Sequence, residues 1–551
     1  MSAPYGQGYY GQPYGQSYGY GSGPQMPMPN QYGQGYYQPP PTNYYNQPPQ
    51  DQKIDISNAK PQNTSSDKPS KNDGEYKSKI EFNDKPKYQD LWATLVYLAV
   101  VAVTVVIATM TIPHMDLNRI SNTFKKSGKS GNSSKYNSSY HNSNNYYYKR
   151  SENKDLDFKS VGILLGSGLI SSAVITALYM MLVQKFTGKM IKGTFILSII
   201  FDFAYAALLF YINPIAGLIM LICAGLYVLC YFFWRKRIPF AKVMLKTVTS
   251  VTKKFPATIF VGFLGCIVAI VWYGFIGLTL LAAMGSDKAQ ENPVIGYVMY
   301  VFLIFSFFYT SQVINNTVHV TISGVFATFY FRGATEPGTN QIEVDVKNPT
   351  ISSLKRAVTT SFGSICFGSL IIAVISTLRV LANQTKHEAA DDNDTLLCII
   401  ACCIECILAC IEDGIEYFNV YAFTEVAIYG KPYCQAAKDT WTLCKARGIE
   451  ALINDNLIGN VLAIGALAVG CLAGTVTFFV GYIFNVELVA NIIFAVIALF
   501  IGLMVFSVVA QVINSGVATT FVCLCEDPDA LRQTKPEFWE KVRDTYPDIV
   551  Y

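Results

Sequence analysis

The chain has 551 residues, of which 51% are hydrophobic and only 15% charged, with a mean hydropathy of +0.28 and a net charge of +4. Basic residues sit at the ends of apolar runs rather than on one face, which excludes a nucleic-acid partner, and the 14 cysteines fall almost entirely inside or beside those runs, which excludes a disulfide framework. Several stretches of twenty or more residues carry no Asp, Glu, Lys or Arg, and about 20 helical residues cross a hydrocarbon core of roughly 30 Å.

Residues 1–50 contain no charged side chain and consist mainly of Tyr, Gly, Gln, Pro and Asn. Such a segment cannot bury enough apolar surface to offset its ordering entropy, so a disordered tail with some tendency to self-associate is expected. Residues 51–90 are charged and linker-like. The tail has no apolar core flanked by a cleavage site, so the first apolar segment is expected to act as its own insertion signal.

Ten apolar segments follow, at 92–112, 161–183, 194–212, 214–234, 256–284, 294–331, 361–381, 396–428, 457–484 and 490–522. The spacing predicts an all-α polytopic membrane protein: a cytosolic tail and linker over 1–90, a transmembrane domain over 91–524 and a cytosolic tail over 525–551. Segment 294–331 reads equally as one long helix or two short ones. Residues 235–255 read as an amphipathic helix on an anionic leaflet, or as a solvated loop.

With the N-terminus inside, the inner loops 184–193, 235–255, 332–358 and 429–455 carry 3, 7, 4 and 4 Lys plus Arg. The outer connections at 285–293, 383–394, 213 and 485–489 carry 1, 1, 0 and 0. Cationic short loops stay cytoplasmic, which places both termini in the cytosol. The exception is 113–160, with 9 basic residues in 48, and long loops follow the rule less well. Glycosylation sequons at Asn132, Asn137, Asn383 and Asn393 fall in loops assigned to the outside, whereas those at Asn63 and Asn315 fall in the tail and in a span.

No phosphate-binding loop, nucleophile elbow or metalloprotease pattern occurs, and the chain has only four histidines. No enzyme activity, cofactor or metal is therefore expected. The segment 396–428 carries the most chemistry. At 100° per residue Glu405, Glu412 and Glu416 fall within about 40° of one another. Acids inside a span cost several kcal/mol and face the protein interior or water, so this stripe, with Asp202 in the third span, is a candidate for binding a cation or relaying protons. A part of the helix projecting into the cytosol would leave Asp413 and Glu416 merely solvated. Cys398, Cys402, Cys406 and Cys410 spread over 18 Å at 1.5 Å per residue, too far to ligate one metal. They read as close helix packing. Trp272, Tyr273 and the run Phe305 to Tyr309 offer π-faces to a quaternary amine, or form interfacial belts. His319 is the one histidine well inside a span, suited to packing, hydrogen bonding or proton transfer.

Three blocks resemble the choline transporter-like family. Gln312 to Phe331, with Gly324 and Ala327-Thr328-Phe329-Tyr330-Phe331, is similar to its Q…AG…ATxYF signature. Gly363 to Ser369 with Arg379 downstream resembles its GxxxxGS…R segment, and Glu412…Asn419…Ala422-Phe423…Gly430…Ala437-Lys438 resembles its E…NxNAY…G…SAK block. Tyr421 and Phe423 stand where that pattern has Asn and Tyr. The Gln/Tyr/Gly-rich tail, 85–92 and 525–531 resemble the fungal, pH nine-sensitive branch. The resemblance implies a ten-span plasma-membrane carrier with both ends cytosolic, and for animal members the transport of choline or ethanolamine. Glu412 and Asn419 match that block and are taken with the acids above as candidate substrate-binding residues.

The expected function is ATP-independent transport of a small organic cation across the bilayer. The alternative is a non-transporting scaffold that recruits protein partners through its low-complexity tail. An enzyme acting on lipid head groups is the weakest reading, since no catalytic constellation appears.

Overall fold

Hydrocarbon offers no partner for backbone N–H and C=O groups, so each charge-free run must satisfy them internally as a helix. The computed structural model describes residues 87–114, 158–284, 292–335, 342–344, 346–392, 394–534 and 536–545. The low-complexity tail and the sequons at Asn132, Asn137 and Asn393 lie outside the described residues.

Helix α1 covers Leu91–Thr111 and closes in a short 3-10 turn, Ile112–His114. Helix α2, Phe158–Ile212, contains two of the apolar segments and changes direction at Phe186 (φ −119°, ψ 28°). Helix α3, Pro214–Trp234, starts sharply because Asn213 Oδ1 accepts from the N–H groups of Ile215 and Ala216 and Pro214 presets the first turn. Helix α4 is Ile238–Lys254 and α5 is Ala257–Met284. Helix α6 runs unbroken from Pro293 to Arg332, its start capped by Asn292. One helix thus covers the whole of 294–331, about 60 Å long at 1.5 Å per residue.

Two three-residue strands, Gly333–Thr335 (β1) and Ile342–Val344 (β2), pair antiparallel, with Gly333 opposite Val344. Helices α7 (Pro349–Val358), α8 (Phe362–Asp391) and α9 (Thr395–Tyr429) follow, and α9 ends on Gly430 at φ 66°. Helix α10, Tyr433–Ile483, takes up much of the expected loop 429–455. Helix α11 is Leu488–Glu526, and α12 (Pro528–Thr534) and α13 (Pro536–Thr545) complete the chain.

Among the described residues nine helices are long and apolar enough to cross a membrane. They contain all ten apolar segments, because α2 holds two. The protein is therefore an all-α polytopic membrane protein, and the paired strands are a small addition to it.

The largest buried cluster lies where α6 and α11 run together. Gly516 permits this approach, since a Cβ there would sit 2.5 Å from the Phe326 ring. Helix α4 corrects both readings of 235–255: it is amphipathic, but its apolar face is packed inside the protein. Phe240, Met244, Leu245 and Val248 are fully buried in the cluster that holds Phe326, Val512 and Val517. The last helices are also docked. Val542 is fully buried, and the guanidinium groups of Arg532 and Arg543 lie over the Trp539 ring, 5.1 and 5.3 Å from its centroid. The cysteine stripe does not pack between helices, since Cys402, Cys403, Cys406 and Cys410 are exposed.

Candidate functional site

The acids of α9 meet bases on α8. Arg379 and Lys386 are seven residues apart, as are Glu405 and Glu412. Seven residues are close to two helical turns, so each set lies on one face. A short connection makes the helices antiparallel neighbours, and this register forms both pairs at once. Arg379 Nη1 donates to Glu412 Oε2 at 2.8 Å and Ser376 Oγ to Glu412 Oε1 at 2.5 Å. Lys386 Nζ donates to Glu405 Oε2 at 2.5 Å and Asn383 Nδ2 to Glu405 Oε1 at 2.6 Å. Extending the register brings Ile375 opposite Glu416, so no base is available there. Glu416 Oε1 instead accepts from Gln312 Nε2 of α6 at 2.7 Å.

One helical turn further along, α6, α9 and α11 form an open cavity of about 390 Å³. This lies within the usual size of small-molecule sites, roughly 300–1,000 Å³. Its polar lining comprises Asn315, Asn316 and His319 from α6 and Ser507, Gln511, Asn514 and Ser515 from α11, and Val420 of α9 and Ala510 of α11 complete it. His319 is buried and ties the three helices together. Its Nε2 lies 2.8 Å from Val420 O and its Nδ1 2.9 Å from Ser515 Oγ. A carbonyl only accepts, so Nε2 carries a proton. Asn316 Nδ2 donates to Ser369 Oγ of α8 at 2.9 Å. Asn315 and Asn514 are exposed. Exposed amides are costly in hydrocarbon, so this side of the cavity is poorly suited to facing lipid tails.

The other expected site residues do not line this cavity. Asn419 is buried on the side of α9 that faces α8 and α10, where Tyr433 OH donates to its Oδ1 at 2.6 Å and its Nδ2 donates to Gly368 O at 3.4 Å. Tyr309 is fully buried against Tyr97 and Phe305, with centroids 5.3 and 5.5 Å apart. Trp272 packs beside Phe275 and the cluster of Ile276 and Leu303. Tyr273 OH and Ser311 Oγ are 2.7 Å apart. Asp202 lies on α2 near Tyr227 of α3. Of these, the Tyr309 hydroxyl and Trp272 Nε1 are buried without a hydrogen-bond partner among the described residues.

Beyond the cavity, the far end of α9 is closed by charge. Lys431 Nζ donates to Glu425 Oε2 at 3.1 Å and to Asp439 Oδ2 at 2.6 Å. Tyr421 OH donates to Asp455, two residues before the span Leu457–Ile483. Burial pushes the Asp455 carboxyl up to about 6, against the lowering effect of the Tyr421 hydroxyl. Among the described residues no group of three His, Cys, Asp or Glu is placed to hold a metal.

The sequence reading missed Asn315, Asn316, Gln511, Asn514 and Ser515, and gave Glu416 the lesser role. A signal was present: Gln312, Asn315, Asn316, His319 and Ser323 recur at helical spacing in one apolar segment, and Ser507, Gln511, Asn514, Ser515 and Thr519 in another.

A family model described as plasma-membrane choline transporter matches residues 218–529, which include all of α6, α9 and α11. Protein PNS1 of Gibberella zeae is 33% identical over 484 residues, covering 84% of this chain and 84% of the relative. Protein PNS1 of Mycosarcoma maydis is 34% identical over 392 residues, 68% of this chain and 72% of the relative. A CTL-like protein of Dictyostelium discoideum is 30% identical over 466 residues, 84% of this chain and 76% of the relative. With the family model matching over half its length and these relatives aligned across most of theirs, the chain belongs to the choline transporter-like family.

Proposed function

We propose that this protein is an ATP-independent carrier of a small organic cation, choline- or ethanolamine-like, in the plasma membrane with both termini in the cytosol. Family membership points to a membrane transporter, and the matched model's description supports the cation class. The observation that carries the reading is the polar cavity between α6, α9 and α11, with Glu416 one turn from it.

In this reading the α8–α9 ion pairs neutralise Glu405 and Glu412, and Glu416 supplies the attraction for a cationic head group. The amides of Asn315, Gln511 and Asn514 replace part of the substrate's hydration, chiefly around a hydroxyl. His319 holds the three walls in register. Glu412 acts on the substrate through the α8–α9 pairing that presents Glu416, rather than by direct contact. The transport domain covers 91–524, and the tail 1–90 is accessory.

The test is uptake of labelled choline and of ethanolamine into liposomes holding the purified full chain, with and without a pH gradient and without ATP. Glu416→Gln is expected to lower uptake at least tenfold at unchanged folding. No uptake of either amine by the wild type sinks the reading. Equal uptake by Glu416→Gln sinks the site.

A further inference from the structure

A second cavity, of about 380 Å³, lies between α7 and the ends of α6 and α9. Arg332, Lys355, Arg356, Ser352, Ser353 and Thr360 are among its lining residues, and among the described lining residues none is acidic. Arg356 is fixed in place: its Nη2 donates to Ala427 O at 2.8 Å and Ile428 O at 3.0 Å, the closing carbonyls of α9. Its Nε is buried and has no hydrogen-bond partner. Burial, and then the neighbouring Arg332 guanidinium, lower its proton affinity. A buried guanidinium N–H such as the Arg356 Nε is costly without an acceptor, and an anion in the cavity would supply one.

Helix α7 carries a second feature. Ile351 and Val358 are 67% and 47% exposed. They lie seven residues apart, with Lys355 between them, so apolar and cationic side chains share one outer stripe. A short helix with that pattern rests in the headgroup region of a bilayer. Its next neighbour in the chain is the start of the span α8, at Phe362.

We propose that this cavity is a binding site for a phosphate group, presented by an anionic phospholipid of the leaflet beside α7 or by a soluble phosphate ester. A phosphomonoester carries about −1.5 to −2 charge at pH 7. Guanidinium forks and hydroxyl donors match its oxygens. The site is separate from the transport cavity and does not depend on transport.

The experiment uses the full chain purified in phosphatidylcholine nanodiscs. Binding of fluorescent phosphatidylinositol 4-phosphate is titrated, then competed with soluble inositol 1,4,5-trisphosphate and with inorganic phosphate. Saturable binding is expected, with affinity reduced at least tenfold in Arg332→Gln/Lys355→Gln and unchanged in Lys242→Gln/Lys246→Gln on α4. Competition by the soluble probes assigns the site to phosphate esters in general, and binding of the lipid alone assigns it to the leaflet. Failure of all three probes to bind overturns the proposal, as does equal loss in the α4 control. If the double variant unfolds, Lys355→Gln alone decides: its side chain is exposed, and an unchanged affinity there also overturns the site.

Discussion

Glu412 on α9 and Arg379 on α8 are joined at 2.8 Å, and the same antiparallel register joins Glu405 to Lys386 two turns away. The acid expected to face a substrate is thus already neutralised by its neighbour helix. Breaking the pair leaves a cation without its partner. Glu412→Gln should lower stability by about 1.5–3 kcal/mol, the range for a hydrogen bond to a charged group. In a double-mutant cycle, adding Arg379→Gln should cost less than the sum of the single changes. Thermal unfolding in detergent checks both. Strict additivity would mean the contact carries no energy.

Two variants of the cavity should separate its walls from its lining. His319→Ala removes the links to Val420 and Ser515, so it should lower the melting temperature as well as uptake. Asn514 is exposed in the cleft, so Asn514→Leu should leave the melting temperature nearly unchanged and reduce cation uptake about fivefold, on the order of 1 kcal/mol. Unaltered uptake in Asn514→Leu would move the site away from α11.

Stability should depend on pH through Asp455. Its folded carboxyl is raised by burial to about 6 from an ordinary 3.8. Between these values the folded state binds more protons than the unfolded state, so stability falls as pH rises through that window and levels off above it. Asp455→Asn should flatten this part of the curve. Melting temperatures from pH 4 to 7 in the two proteins provide the comparison, and parallel profiles would refute the assignment.

Glycan occupancy should follow the outer loop 113–160 rather than α8. Asn383 lies within α8, and its Nδ2 donates to Glu405 at 2.6 Å, so its amide is committed to the ion pair. Under the proposed orientation, Asn132→Gln with Asn137→Gln should remove a glycosidase-sensitive mobility shift. Asn383→Gln should leave the shift intact and destabilise the α8–α9 pairing. A shift lost with Asn383→Gln alone would contradict this.

The entry into α1 should be sensitive although the tail before it is not. Asp90 Oδ2 accepts from Ser364 Oγ at 2.7 Å and from the Tyr433 N–H at 2.8 Å. A Cβ on Gly363 would meet Gln89 O at 2.2 Å and Asp90 O at 2.5 Å. Gly363→Ala and Asp90→Ala should each lower the melting temperature. Deleting residues 1–80 should change it little, because that segment has no apolar core to contribute. A large loss on deletion would show that the tail docks onto the helices.

The helices themselves were legible in the sequence. A charge-free apolar run in a bilayer has one way to satisfy its backbone, so segment position alone determined spans such as α1, α3 and α5. The α8–α9 pairing was also written there, in two sevens of opposite charge. Sequence could not say which polar stripes converge. His319 and Ser515 are 196 residues apart and meet only because α6 and α11 pack side by side. Nor could it say what covers α4, because an apolar stripe looks the same whether it faces lipid or protein. Periodicity fixes which side chains share a face, and only packing between distant helices decides what that face meets.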